Sequence, residues 1–175
     1  VINKGDHKQL IGEVKINNEL NWNIKHWTLI YQYYSRSPHF REYAAEFQAI
    51  YQKRWTNLVE LNEALIYTCC RALDINHVQF VKGSSLNTTT RGTDQIIDEC
   101  RILGADTYLS GYGAAKYMEE EKFKKAGIKL KYYDFEHPVY RQLWGDFIPN
   151  LSIIDLIFNA GGKGLSILQK AHKLP

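Results

Sequence analysis

Three cysteines and a single methionine are all the sulfur this chain of 175 residues carries, and the scarcity already narrows what the protein can be. Cys69 and Cys70 are adjacent and Cys100 stands apart, so there is neither the even spacing of a disulfide framework nor the C-x-x-C pairs of a zinc site. All three are expected to be reduced thiols in a cytoplasmic protein. The six histidines are scattered, with no H-x-x-x-H and no carboxylate cluster at ligand spacing, so neither a metal nor a cofactor is expected. No stretch approaches the roughly twenty apolar residues that cross a bilayer, and no cationic-apolar-small leader opens the sequence. An integral membrane segment is therefore not expected. The one methionine is Met118 and the first residue is Val1, which creates the expectation that a segment upstream is missing.

What is present is ordinary for a globular chain: 45% hydrophobic and 23% charged residues, enough for a buried core in one domain spanning residues 1–175. The net charge of +3 is mildly basic, but lysine and arginine alternate with aspartate and glutamate in no long run. Aromatic residues are abundant, yet they recur at helical spacing instead of interleaving with a basic stripe. Core packing explains that pattern better than base stacking, so nucleic acid is not an expected partner.

Periodicity divides the chain into two rhythms. Leu10 to Asn17 alternates apolar and polar residues and predicts a half-buried strand. Three amphipathic helices follow, carried by Ile24, Trp27, Ile30, Tyr31 and Tyr34; by Phe40, Tyr43, Phe47, Ile50 and Tyr51; and by Leu58, Leu61, Leu65, Cys69 and Leu73. Ser37-Pro38 separates the first two. Thereafter strands and helices alternate: a strand at His77 to Val81, a helix at Thr93 to Leu103, strands at Thr107 to Ser110 and Ile128 to Phe135, and a helix at Gly113 to Ala126 between them. That series predicts an α/β fold with a mainly parallel sheet and flanking helices in three layers, preceded by the three-helix run. Gly104 and Gly127 stand where helices need left-handed endings, and Thr93 and Ser152 stand at N-cap positions. Helices from Ile153 to Asn159 and Leu165 to His172 close the chain.

Five groups of residues could carry chemistry. Lys82-Gly83-Ser84-Ser85, followed by three threonines and Arg91, offers glycine-freed amides, hydroxyls and a guanidinium to a phosphate or carboxylate. The alternative is a solvated loop, since neither G-x-x-x-x-G-K-[ST] nor G-x-G-x-x-G is present. Ser110-Gly111-Tyr112-Gly113 sits at a strand-to-helix turn and can contact a ligand, although it departs from the G-x-S-x-G elbow. Alternatively, both glycines relieve close packing of strand on helix. Asp134, Glu136, His137 and Tyr140 gather carboxylate, imidazole and phenol at a strand end, where a histidine oriented by a carboxylate serves as a general base. A histidine bonded to the backbone in a turn is the plainer reading. Lys25 and His26, with Trp22, share a helix face that can line a pocket, and Asp155 lies four residues from Asn159 on an apolar helix where a buried carboxylate needs a partner.

Read together, Asn21-Trp22 with Lys25-His26, Ser37-Pro38-His39-Phe40, Tyr51, Ser84-Ser85, Thr107 to Gly111 with Gly113 and Tyr117, His137 to Tyr140, and Phe147 to Pro149 followed by Leu151 to Asp155 resemble the WbqC-like family nearly end to end. Members of that family are encoded among genes for bacterial O-antigen and other surface polysaccharides, and transfer of glycine or a related acyl group to a sugar has been suggested for some. The resemblance implies a missing N-terminal strand, His-Gln-Pro motif and helix. It also implies an acyl or aminoacyl transferase using a small sugar or carrier-linked substrate, with oligomerisation left open. In that reading His137 deprotonates the acceptor, Asp155 or Asp134 orients it, and Ser84, Ser85, Arg91, Ser110, Gly111 and Gly113 hold phosphate, with Tyr140, Lys25 and His26 contributing to substrate binding. A sugar-nucleotide-binding module related to nucleotidyltransferases, and a non-catalytic scaffold of polysaccharide assembly, are the alternatives.

Overall fold

The computed structural model describes residues 9–133 and 135–171. The chain divides into two units, one built from Val1–His77 with His137–Gln169 and the other from Val78–Glu136 with Lys170–Pro175.

The first unit is helical. α1 (Trp22–Tyr34), α2 (Phe40–Gln52) and α3 (Leu58–Ala72) pack in sequence, and α6 (Ile153–Ala160) lies against α2 and α3. Its core is Phe40, Phe47, Leu73, Ile157 and Phe158, flanked by Trp27, Ile30 and Tyr34. α6 is apolar almost all round, with Leu156, Ile157 and Phe158 buried, the pattern of a helix enclosed by its neighbours. Phe158 meets the rings of Tyr34, Phe40 and Phe47 at centroid distances of 5.5, 5.0 and 5.5 Å, so one side chain joins α6 to α1 and α2. Polar side chains fix the same neighbours: Asn23 Nδ2 donates to the Tyr51 carbonyl at 2.9 Å and Asn18 Nδ2 to that of Trp55 at 2.8 Å. Beyond α6, the 3₁₀ turn Gly161–Lys163 leads into α7 (Gly164–Lys170). Gly161 has φ +54°, and a Cβ there would stand 2.6 Å from Cγ and 2.7 Å from Cε1 of the His39 ring. Backbone conformation and contact both require glycine.

The second unit is a compact α/β element. β1 (Thr107–Gly111) pairs in parallel with β2 (Lys129–Tyr133), with Tyr108 opposite Leu130 and Ser110 opposite Tyr132. Parallel strands need a crossover, supplied by a 3₁₀ turn at Tyr112–Tyr117 and α5 (Glu120–Ala126). α4 (Thr93–Ile102) buries Thr93, Ile97 and Cys100, and Ile97, Cys100, Phe123 and Ile128 form the core. Gly104 and Gly127 end α4 and α5 with φ of +66° and +73°, as their positions predict.

The mixed helical and parallel-strand organisation follows the sequence pattern, and among the described residues the sheet has two strands. Two predicted strands are corrected. Leu10 to Asn17 forms a 3₁₀ turn at Ile11–Glu13 and a lone antiparallel bridge from Lys15 to Asn57. His77 to Val81 joins no ladder, and Val78, Phe80 and Val81 are exposed. The predicted helix from Gly113 to Ala126 is broken at Met118, splitting into the 3₁₀ turn and the shorter α5. Thr93 is also not the cap of α4; Gly92 is, and the Thr93 hydroxyl accepts from Glu119 N at 3.2 Å. Ser152 does precede α6, without a side-chain cap bond.

Candidate functional site

The densest polar arrangement surrounds Asp155, in the first turn of α6 and only 4% exposed. A carboxylate suits that turn because the helix N-terminus carries positive dipole charge, but burial makes it depend on donors. Tyr140 Oη donates to Oδ2 at 2.7 Å, Gln142 Nε2 donates to the same oxygen at 3.0 Å, and Asn159 Nδ2 donates to Oδ1 at 3.2 Å. Tyr34 on α1 also hydrogen-bonds to it; its phenol is pushed up to about 12, first by burial and then by the Asp155 charge. Burial, and then the bond to Asp155, raises Tyr140 as well. Both phenols therefore stay protonated donors near neutral pH.

Gln142 carries this order outward. Its Oε1 accepts from Ile148 N at 2.8 Å while Nε2 donates to Ile148 O at 2.9 Å, so one amide closes the segment 142–148 as a backbone pair would. Gly145, with φ +55°, turns the chain inside that segment. Trp144 Nε1 donates to the Tyr33 carbonyl at 2.9 Å while the residue stays 52% exposed. Beside it opens a groove of about 640 Å³ lined by Gln32, Tyr33, Tyr34, Gln142, Leu143, Trp144, Ile148, Leu151 and Asp155. That volume is ordinary for a small-molecule site.

His137 enters the arrangement through Tyr140. The two rings stack at 6.2 Å, and each packs on Phe147, at 5.6 and 5.4 Å. His137 Nδ1 lies 3.1 Å from the Pro138 carbonyl oxygen. A carbonyl only accepts, so in this contact Nδ1 is the donor. The Tyr140 ring thus packs on the imidazole while its hydroxyl donates to the buried carboxylate; His137 is not among the residues lining the groove.

The other candidates are placed as follows. Asp134 lies outside the described residues. Lys25 and His26 are exposed on α1; the His26 ring packs edge-on against Trp22 and Tyr51 and lines a second groove of about 380 Å³. In the second unit, Ser84 and Ser85 belong to the 3₁₀ turn Gly83–Leu86, where the Ser85 hydroxyl donates to Lys82 O at 2.7 Å. Arg91 is exposed. Thr90 Oγ1 donates to Asp98 at 2.8 Å and Glu99 Oε1 lies 3.6 Å from the Cβ position of Gly83, so carboxylates stand beside the hydroxyl-rich loop. Ser110 is buried, its hydroxyl 3.4 Å from Gly111 O. A Cβ on Gly111 or Gly113 would meet nothing within 4 Å, so close strand-to-helix packing does not account for either glycine.

Tyr34, Gln142 and Trp144 were not singled out by the sequence. The available signal was a tryptophan in a stretch without periodicity, between Pro138 and Pro149. Elsewhere in the helical unit, His39 Nδ1 lies 3.0 Å from Glu42 Oε2, and the imidazole holds that carboxyl below its ordinary range. Among the described residues no three His, Cys, Asp or Glu side chains cluster so as to hold a metal ion, and no helix is long and apolar enough to cross a membrane. Cys69, Cys70 and Cys100 are free thiols.

The helical unit thus holds a buried carboxylate beside an aromatic-lined groove. The sequence matches the WbqC-like protein family over residues 1–167, and the chain belongs to that family. It is similar to an uncharacterized protein of Mycobacterium tuberculosis (strain ATCC 25618 / H37Rv), with 32% identity over 168 residues, covering 95% of this chain and 72% of the relative. No solved structure matches it.

Proposed function

We propose that this protein is a cytoplasmic acyl or aminoacyl transferase, with glycine the leading candidate group, acting on a sugar during assembly of bacterial O-antigen or another surface polysaccharide. The carrying observation is that His137, Tyr140 and the buried Asp155 are joined in one network whose carboxylate also lines the 640 Å³ groove. The His137 imidazole takes the proton from the acceptor amine or hydroxyl as the acceptor's nitrogen or oxygen attacks the donor carbonyl carbon. The bond from that carbon to the carrier breaks, and the carrier departs with the electron pair and receives a proton from the imidazolium. Asp155 acts through Tyr140 as a positioning group. Within the α/β unit, Ser84, Ser85, Arg91, Ser110, Gly111 and Gly113 are assigned to phosphate binding, and within the helical unit Lys25 and His26 are assigned to substrate contact.

The test supplies the full-length protein with activated glycine donors and nucleotide-linked sugars and follows the sugar by mass spectrometry. A mass gain matching one glycyl group, lost in His137→Ala, is expected. Undiminished turnover in that variant removes the base. A second reading, a sugar-nucleotide-binding module without group transfer, is favoured by the open strand-end turn at Gly111 and Gly113 in the parallel unit. It expects a nucleotide to raise the melting temperature by mass action, with no mass change on any sugar.

A further inference from the structure

The groove beside α6 favours one kind of occupant. Its lining contains no lysine or arginine among the described residues, and its charged group, Asp155, is already committed to tyrosine, glutamine and asparagine donors. A phosphate or carboxylate would find no countercharge there. The wall instead combines aliphatic side chains with phenols, primary amides and a half-exposed indole. Trp144 is shown to solvent although its indole N–H is satisfied by the Tyr33 carbonyl, so its ring faces remain available for stacking. Its position is held from both sides, by that bond and by the Gln142 amide closing the segment 142–148 onto Ile148 and Asp155. Such an arrangement limits the ordering cost a ligand must meet.

We infer that this groove seats an uncharged pyranose ring, with the indole of Trp144 as its platform. A pyranose presents apolar C–H groups on its faces and hydroxyls around its rim. The faces suit an aromatic plane and the hydroxyls suit the side chains of Gln32 and Tyr33 in the wall. This rests on the transferase reading in naming the ring as that of the acceptor sugar, and it separates ring recognition from the residues assigned to phosphate.

Binding can be measured without any acyl donor, so it fails or succeeds apart from the transfer reaction. Saturation-transfer NMR and titration calorimetry on the full-length protein use methyl glucoside and methyl N-acetylglucosaminide, with inorganic phosphate as the charged control. At least one glycoside is expected to bind with millimolar affinity and to receive saturation at its ring protons. Affinity should fall at least tenfold in Trp144→Ala and less in Trp144→Phe, with the melting temperature of both variants close to that of the parent. Glycosides that fail to bind at millimolar concentration, binding unaffected by Trp144→Ala, or phosphate displacing the glycoside would each overturn the inference. If a glycoside binds as expected but no sugar gains mass with any donor, the groove stands and the transferase reading falls.

Discussion

The two units handle polar side chains in opposite ways. In the helical unit, a carboxylate with 4% exposure collects donors from α1, from the segment after Pro138 and from its own helix. In the α/β unit, the hydroxyl-rich loop around Ser84 and Ser85 lies at the surface, and the Ser85 hydroxyl turns back onto its own backbone. Hydroxyl density along a sequence is a poor guide to where polar groups cooperate, because what commits them is burial. A buried charge must be matched by donors that converge on it, whereas an exposed serine satisfies itself locally or with water.

The sharpest way to break this comparison is to remove its centre. Asp155→Ala leaves the Tyr140 hydroxyl without its acceptor, removes one of the two acceptors of the Gln142 amide and so releases one anchor of the segment 142–148. A loss on the order of 3 kcal/mol is expected from urea denaturation, with near-ultraviolet circular dichroism reporting freed tyrosine and tryptophan rings. A loss under about 1 kcal/mol would show that the network does not hold the unit together. Glycines provide the next contrast. Gly161→Ala must bring a Cβ into the His39 ring at φ +54° and should cost at least ~2 kcal/mol. Gly111→Ala has open space and an ordinary φ of −66°, so the same measurement should show a change within about 0.5 kcal/mol.

A pH titration sharpens the contrast further. Tyr34 is pushed up to about 12 and Tyr140 is raised in the same direction, against about 10 for an unfolded tyrosine. Groups with raised folded values give stability that is complete below pH ~10 and lost as pH climbs through the folded value. The difference in unfolding free energy between the parent and Tyr34→Phe should therefore be level up to pH ~10 and shrink above it. Tyr140→Phe should behave alike. A difference that instead grows above pH 10 would show that the phenols are not held as neutral donors.

Much of this architecture could be read from residue spacing alone. α1 to α4 and α6 follow their apolar periodicity to within a residue or two at each end, because a stripe that must face a core fixes both period and phase. The failures lie where a short pattern had no partner to confirm it. Leu10 to Asn17 alternates like a strand, yet it meets the start of α3 through the single bridge at Asn57; a ladder is made by two strands, and alternation in one does not supply the other. Asp155 was recognisable as a carboxylate in need of donors. That Tyr34 would be one of them was not, since the pair is distant in sequence and meets only when α1 and α6 pack on the shared core. Trp144 was hidden for a related reason: its display depends on Gln142 acting as a surrogate backbone pair, a role no spacing rule encodes.

The smallest expected effect tests the other side of the comparison. In Ser85→Ala the hydroxyl bond to Lys82 O disappears, but that carbonyl still accepts from Ser85 N at 2.9 Å and both residues are exposed. Water replaces what is lost, so stability should change by no more than about 0.5 kcal/mol. Ser84→Ala, also on the surface of the turn, should be equally mild in the ligand-free protein. If a phosphate-bearing substrate is held there, the two variants should weaken its binding while the urea midpoint stays in place. A large loss of stability without ligand would mean that this loop is clasped as tightly as the Asp155 network, and the contrast between the units would vanish.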